Sequence, residues 1–82
     1  MRFLARVAVR LKPGVLDAEG KTVQKALGLL AIPVESVAFV KTYEILLERD
    51  SRKQAEADLE EACRRLLANP VVHDYTVTLE TA

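Results

Sequence analysis

The sequence has few of the residues that most often carry chemistry. One cysteine and one histidine stand among 82 residues, tryptophan is absent, and two Phe and two Tyr make up an aromatic content of 5%. A lone cysteine excludes an internal disulfide and any zinc cage built from several thiolates. Neither sign of charge dominates, because 12 Lys and Arg balance 12 Asp and Glu. Without a basic excess, a broad nucleic-acid footprint is not expected. No apolar run approaches the ~18 residues of a membrane span, and Met1-Arg2 does not lead into a signal-peptide core. The expectation is a cytoplasmic chain that binds neither nucleic acid nor membrane.

What is present is a globular composition, 50% hydrophobic and 29% charged, which argues against extended disorder. Residues 1–82, at 9.1 kDa, have room for one small domain. Surface scaling gives a compact chain of this mass a folded area of roughly 4,900 Å² against roughly 13,200 Å² unfolded. So small a core leaves little stability to spare, and a partner surface would add to it.

Arg2 to Leu11 alternates: Phe3, Ala5, Val7, Val9 and Leu11 share one face, and Arg2, Arg6 and Arg10 share the other with Leu4 and Ala8. Period two with one charged face predicts a half-buried strand, which Lys12-Pro13-Gly14 breaks. Asp17 is a helix N-cap, with Glu19 favouring the positive end of the dipole. Leu16, Gly20, Val23, Ala26, Leu27, Leu30 and Ala31 follow as one helical stripe, ended by Pro33. Gly20 inside this stripe marks either a close approach of another backbone or a frayed first turn. Val34 to Glu48 is β-branched, aromatic and long for one strand, so the expectation is two strands with a turn near Lys41-Thr42. Ser51 with Gln54 fits a capping box, and Ala55, Leu59, Ala62, Cys63, Leu66 and Leu67 form the cleanest amphipathic helix, stopped by Asn69-Pro70. Val71 to Glu80 alternates as a last strand.

The order βαββαβ predicts an α+β two-layer sandwich of ferredoxin-like kind, two helices on one face of an antiparallel sheet, with the first and third strands central. Sheet edges in so small a domain are a liability unless something pairs with them, so edge pairing in an oligomer, or exchange of strands between subunits, is also expected.

No catalytic constellation emerges. His73 and Asp74 are neighbours on a strand and point to opposite faces. Cys63, on an apolar stripe, is a small buried hydrophobe rather than a nucleophile. With one Cys and one His, metal has no ligand set. Lys12-Pro13-Gly14-Val15 is not a Walker loop, and although Lys12 beside a helix N-terminus is able to hold an anion, a solvated loop is the better account. Arg2, Arg6 and Arg10 lack the interleaved aromatics of an RNA-binding sheet. Glu56, Asp58, Glu60 and Glu61 form the exposed side of a helix.

The segment Leu11-Lys12-Pro13-Gly14-Val15-Leu16-Asp17-Ala18-Glu19-Gly20-Lys21-Thr22-Val23 resembles the PurS family, the small accessory subunit of bacterial and archaeal phosphoribosylformylglycinamidine synthase. Val15, Leu16, Asp17, Gly20 and Val23 match that family's strand-to-helix segment, and Ala18 replaces its usual Pro. Tyr43-Glu44-Ile45 resembles the entry to the third strand, with Val40 where many members have Gly. Leu66 to Tyr75 resembles the end of the second helix and the start of the last strand. The resemblance implies a PurS-like fold and a subunit with no active site and no cofactor of its own. It implies self-association as a dimer or dimer of dimers. It further implies contact with a glutaminase that releases ammonia and a synthetase that uses ATP and magnesium, within de novo purine synthesis. The candidate partner contacts are Lys12, Pro13, Gly14, Val15, Asp17 and Gly20, with the sheet edges. Two other readings stay open from the residues themselves: a ferredoxin-like regulatory module binding a small metabolite, and a small hydrolase such as an acyl-phosphate hydrolase. The chain lacks the Gly-rich phosphate loop of the latter.

Overall fold

The computed structural model describes all 82 residues. Strand β1 (Arg2–Leu11), helix α1 (Ala18–Leu29), strand β2 (Val40–Glu48), helix α2 (Arg52–Ala62), a π-helical turn (Cys63–Leu67) and strand β3 (His73–Thr81) follow in order. β1 is the middle of a three-stranded antiparallel sheet, flanked by β2 and β3. Phe3, Ala5, Val7 and Val9 pair with Leu47, Ile45, Tyr43 and Lys41 on one side. On the other they pair with Thr81, Leu79, Val77 and Tyr75. Paired residues share a face, so one side of the sheet is almost wholly apolar and the alternation in β1 falls where the sequence predicts.

The core is a seam between that face and α2. Phe3, Ala5, Val7 and Val9 are buried beneath Ala55, Leu59, Cys63 and Ala68. The Ser51 hydroxyl accepts from Gln54 N at 3.1 Å and starts α2 where the capping box places it. Polar ties then lock α2 to the strands. Arg49 at the end of β2 meets Asp58 at 2.6 Å, Arg52 donates to the Leu79 carbonyl at 2.9 Å, and the Tyr75 hydroxyl donates to Glu60. After Ala62 the helix widens, and Ala68 N donates five residues back to Cys63 O at 3.0 Å. This rotation puts Ala68 under cover and leaves Leu66 81% exposed, which corrects the expectation that Leu66 completes the buried stripe.

The α+β, ferredoxin-like class holds, with one strand fewer. Residues 34–39 form no strand, and β2 runs unbroken through Lys41-Thr42. The missing strand would have flanked β2. Without it, β2 lies at an edge and β1 alone is central, not β1 and its third-strand neighbour together. Both helices lie to one side of the sheet, but differently. α2 buries Ala55 and Leu59; α1 buries only Gly20. The molecule is drawn out to 51 × 27 × 15 Å, with a Cα radius of gyration of 16.2 Å, where a compact chain of this length has about 12 Å. Its surface is 6,076 Å², well above the roughly 4,900 Å² of a closed fold. No helix is long and apolar enough to cross a membrane.

Candidate functional site

The groups with most chemical potential are each engaged structurally. Cys63 is fully buried; burial, reinforced by the charge on Glu60, pushes its thiol pKa up, which disfavours the thiolate a nucleophile needs. His73 opposes Leu11 and Asp74 opposes Arg10, so the two side chains take opposite faces. His73 Nδ1 accepts from Asn69 N at 2.9 Å, while the His73 N–H donates to Asn69 O at 2.8 Å. The imidazole thereby closes the turn into β3, and its Nδ1 lone pair is occupied. Nowhere do three His, Cys, Asp or Glu side chains gather as metal ligands.

The face of the sheet away from α2 is polar and open. Arg6, at its centre, reaches Glu44 on β2 at 3.1 Å and Glu80 on β3 at 3.0 Å, and Glu80 foremost, then Glu44, raises the guanidinium pKa further. The arginine row of β1 is therefore partly neutralised by carboxylates on both flanking strands. At Arg6 the surface is satisfied by the protein's own carboxylates.

The segment from Lys12 to Gly20 divides into two parts. Lys12 to Val15 is a turn: Lys12 N donates to Val72 O at 2.9 Å and Val15 N to Lys12 O at 3.1 Å. Gly14, with φ +86° and nothing within 4 Å of where a Cβ would lie, stands at its open tip. Asp17 and Gly20 instead face inward, toward the chain's own return. The Asp17 carboxylate accepts from Gly20 N at 2.8 Å and from Phe39 N at 2.9 Å. These bonds, that to Phe39 first, hold its pKa below the usual carboxylate range, with the charge of Lys21 adding to them. The close backbone neighbour of Gly20 is Val37 of the same chain.

Beyond Asp17 the chain leaves the sheet as a limb made of α1 and the irregular return 30–39. Its apolar stripe is largely uncovered beyond Gly20 and the half-buried Leu27: Val23 is 47% exposed and Leu30 69%, and off the stripe Leu29 is 81% exposed. Ile32, Val34 and Phe39 are likewise exposed. At the base of the limb, Val9, Leu11, Phe39 and Leu67 line an apolar cleft of about 260 Å³, with Lys41, His73 and Glu19 at its polar boundary. An open hydrophobic limb beside an open apolar cleft is the geometry of an incomplete interface. The sequence gives the stripe but not the partner that covers it. Phe39 and Val37, which anchor the limb, escape sequence reasoning because an ordinary backbone N–H or C=O carries no motif.

Fold and surface together define a small ferredoxin-like α+β protein whose prominent features are surfaces for contact. Comparison with known proteins makes the assignment particular. The family model PurS, phosphoribosylformylglycinamidine (FGAM) synthase, matches residues 4–81, and the chain belongs to that family. It is 40% identical over 79 residues to the phosphoribosylformylglycinamidine synthase subunit PurS of Methanocaldococcus jannaschii, covering 95% of each chain. It is 44% identical over 76 residues to that of Archaeoglobus fulgidus, covering 92% of this chain and 95% of the relative. The M. jannaschii PurS crystal structure superimposes with a TM-score of 0.87 over 98% of both chains at 38% identity. A chain of the Thermotoga maritima PurLQS structure does so with a TM-score of 0.89 at 27% identity, over 98% of this chain and 99% of that one.

Proposed function

We propose that residues 1–82 work as one unit, the small subunit of a phosphoribosylformylglycinamidine synthase, and that the unit contributes surfaces rather than bond-making groups. The observation that carries this reading is the end-to-end correspondence with PurS chains, one of them from a structure described as PurLQS. Another is Methanocaldococcus jannaschii PurS, one of the subunits of formylglycinamide ribonucleotide amidotransferase in the purine biosynthetic pathway. In this reading the chain joins a glutaminase subunit, the source of ammonia, to a synthetase subunit that binds ATP and magnesium and forms the amidine. The protein itself holds no cofactor. It works in the cytoplasm, where such a pathway has its substrates.

The chain also associates with itself. The uncovered limb supports this, as does a surface exceeding that of a closed fold by an amount of the order that one partner contributes to a standard interface, roughly 800 Å². Pro13 and Gly14, the exposed tip of a turn flanked by the half-buried Lys12 and Val15, are then available to a larger subunit, whereas Asp17 and Gly20 serve the limb from within. Mixing the purified chain with the synthetase and glutaminase subunits, with nucleotide and glutamine present, is the test. A co-eluting complex with glutamine-dependent amidine formation is expected. Loss of neither co-elution nor activity when the chain is omitted would contradict the reading.

A further inference from the structure

The limb leaves and rejoins the sheet at a single point. One oxygen of the Asp17 carboxylate accepts from Gly20 N, in the first turn of α1, and the other accepts from Phe39 N, 22 residues on in sequence. The first bond is an ordinary helix cap, which Ser, Thr or Asn would supply as well. The second is not. It needs a side chain with a second acceptor, and a carboxylate has one. Gly20 completes the arrangement by its lack of a side chain, because a Cβ there would lie 2.3 Å from the Val37 carbonyl oxygen and 2.7 Å from Asp17 Oδ2. One turn further on, Gln24 Nε2 donates to the Glu35 carbonyl at 3.2 Å. All of these ties bind the outgoing helix to the returning backbone, and α1 buries no side chain that would replace them.

We infer that Asp17 and Gly20 form a clasp that fixes the direction in which the limb projects, and that Asp17 is a positioning residue for association with a second copy of this chain. The inference rests on the self-association proposed above. A limb held at its base presents Val23, Leu29 and Leu30 in one orientation. A limb pivoting about residues 15–17 would have to be ordered on binding, and affinity falls by the fraction of molecules in the competent state.

Asp17→Asn separates the two bonds. Its amide oxygen still caps Gly20 N, but its Nδ2–H₂ group faces the Phe39 N–H, donor against donor. Gly20→Ala reaches the same end sterically, through the Val37 carbonyl. Two measurements read the outcome on the full chain: amide hydrogen exchange residue by residue, and the self-dissociation constant by sedimentation. In Asp17→Asn the Phe39 amide is expected to exchange about tenfold faster and self-association to weaken about tenfold. The amides of Val7 and Leu59 should keep their protection. Gly20→Ala should behave alike, and the double variant should be little worse than either single one, because both break one device. Thr22→Ala, whose hydroxyl bonds only the Ala18 carbonyl, should change neither readout. A wild-type chain that is monomeric at every concentration would remove the self-association reading and the clasp's role with it. A wild type that associates while Asp17→Asn associates equally tightly, or keeps Phe39 protected, would overturn the clasp alone. So would loss of protection at Val7 and Leu59 in both variants, since the two residues would then support the whole fold and not the limb.

Discussion

The two helices carry similar apolar stripes and have opposite fates. In α2, Ala55 and Leu59 are buried, Cys63 beyond them packs with Val7 and Val9 of β1, and Arg49, Arg52 and Tyr75 tie the helix to the strands by side-chain bonds. In α1 the one buried residue is Gly20, and Leu29 and Leu30 stand in solvent. A stripe at helical spacing states that a face will be covered; it does not state by what. In α2 the cover comes from the same chain, and in α1 the chain fully covers only Gly20, so the two halves should answer differently to the same kind of substitution.

The largest difference is expected for truncated apolar side chains. Phe3→Ala and Leu59→Ala empty sites that are 1% and 3% exposed, and each should cost about 2–5 kcal/mol in urea unfolding. Leu30→Ala, at a site 69% exposed, should cost no more than about 0.5 kcal/mol in the isolated chain while weakening its self-association. Equal losses of unfolding stability at Leu59 and Leu30 would mean that the limb is packed after all, and the contrast would fail.

Helix termini give a smaller effect and reverse its sign. Ser51 caps α2 in good geometry, and Ser51→Ala should cost about 1 kcal/mol. α1 ends less well. Ile32 N donates to Leu27 O at 2.9 Å and Ala31 N to Gly28 O at 3.0 Å, a Schellman-type closure whose left-handed residue is Ala31, at φ 61°. Glycine is the usual occupant of such a position, since an L side chain there crowds the backbone. Ala31→Gly should therefore stabilise the limb by about 1 kcal/mol, seen as slower amide exchange at Ile32, with the urea midpoint nearly unchanged. A marked rise in that midpoint would join the limb to the cooperative core.

How far the sequence was legible follows the same division. β1, β3 and the start of α2 are written in local pattern: alternation in Phe3 to Leu11 and in Tyr75 to Leu79, and a cap at Ser51 with Gln54. The cap of α1 at Asp17 was legible too. What was not legible depends on a distant partner. Val34 to Phe39 has the β-branched content of a strand, but a strand exists only when another offers its ladder, and here the Phe39 N–H goes to the Asp17 carboxylate. The widening at Cys63 to Leu67, which exchanges Leu66 for Ala68, has no periodic signature because it is itself a break in period. The stripe position of Cys63 told of its burial, whereas the turn that His73 closes with Asn69 has no sequence signature. At Gly20 a close backbone approach and a frayed first turn read alike in sequence, and only the fold brings the Val37 carbonyl against it.

Acid should separate the two halves most gently. Asp58 and Asp17 both have pKa values held below the ordinary carboxylate range, Asp58 chiefly by Arg49 and then Gln54, and Asp17 by the Phe39 and Gly20 N–H groups. A carboxyl whose folded pKa lies below its unfolded value contributes stability that is fully present above the unfolded pKa, about 4, and is lost as pH falls through the folded one. Both ties therefore hold at neutral pH and fail in acid, but they hold different things. Asp58 fixes α2 to the end of β2, so Asp58→Asn should flatten the acid decline of unfolding stability measured in urea. Asp17 fixes only the limb. Asp17→Asn should leave that decline nearly as steep as in the wild type, while abolishing the acid-induced drop in the protection factor of the Phe39 amide, which would already be low at neutral pH. If both variants flatten the same acid limb, the carboxylates guard one cooperative unit, and the contrast between a packed half and a clasped limb does not survive.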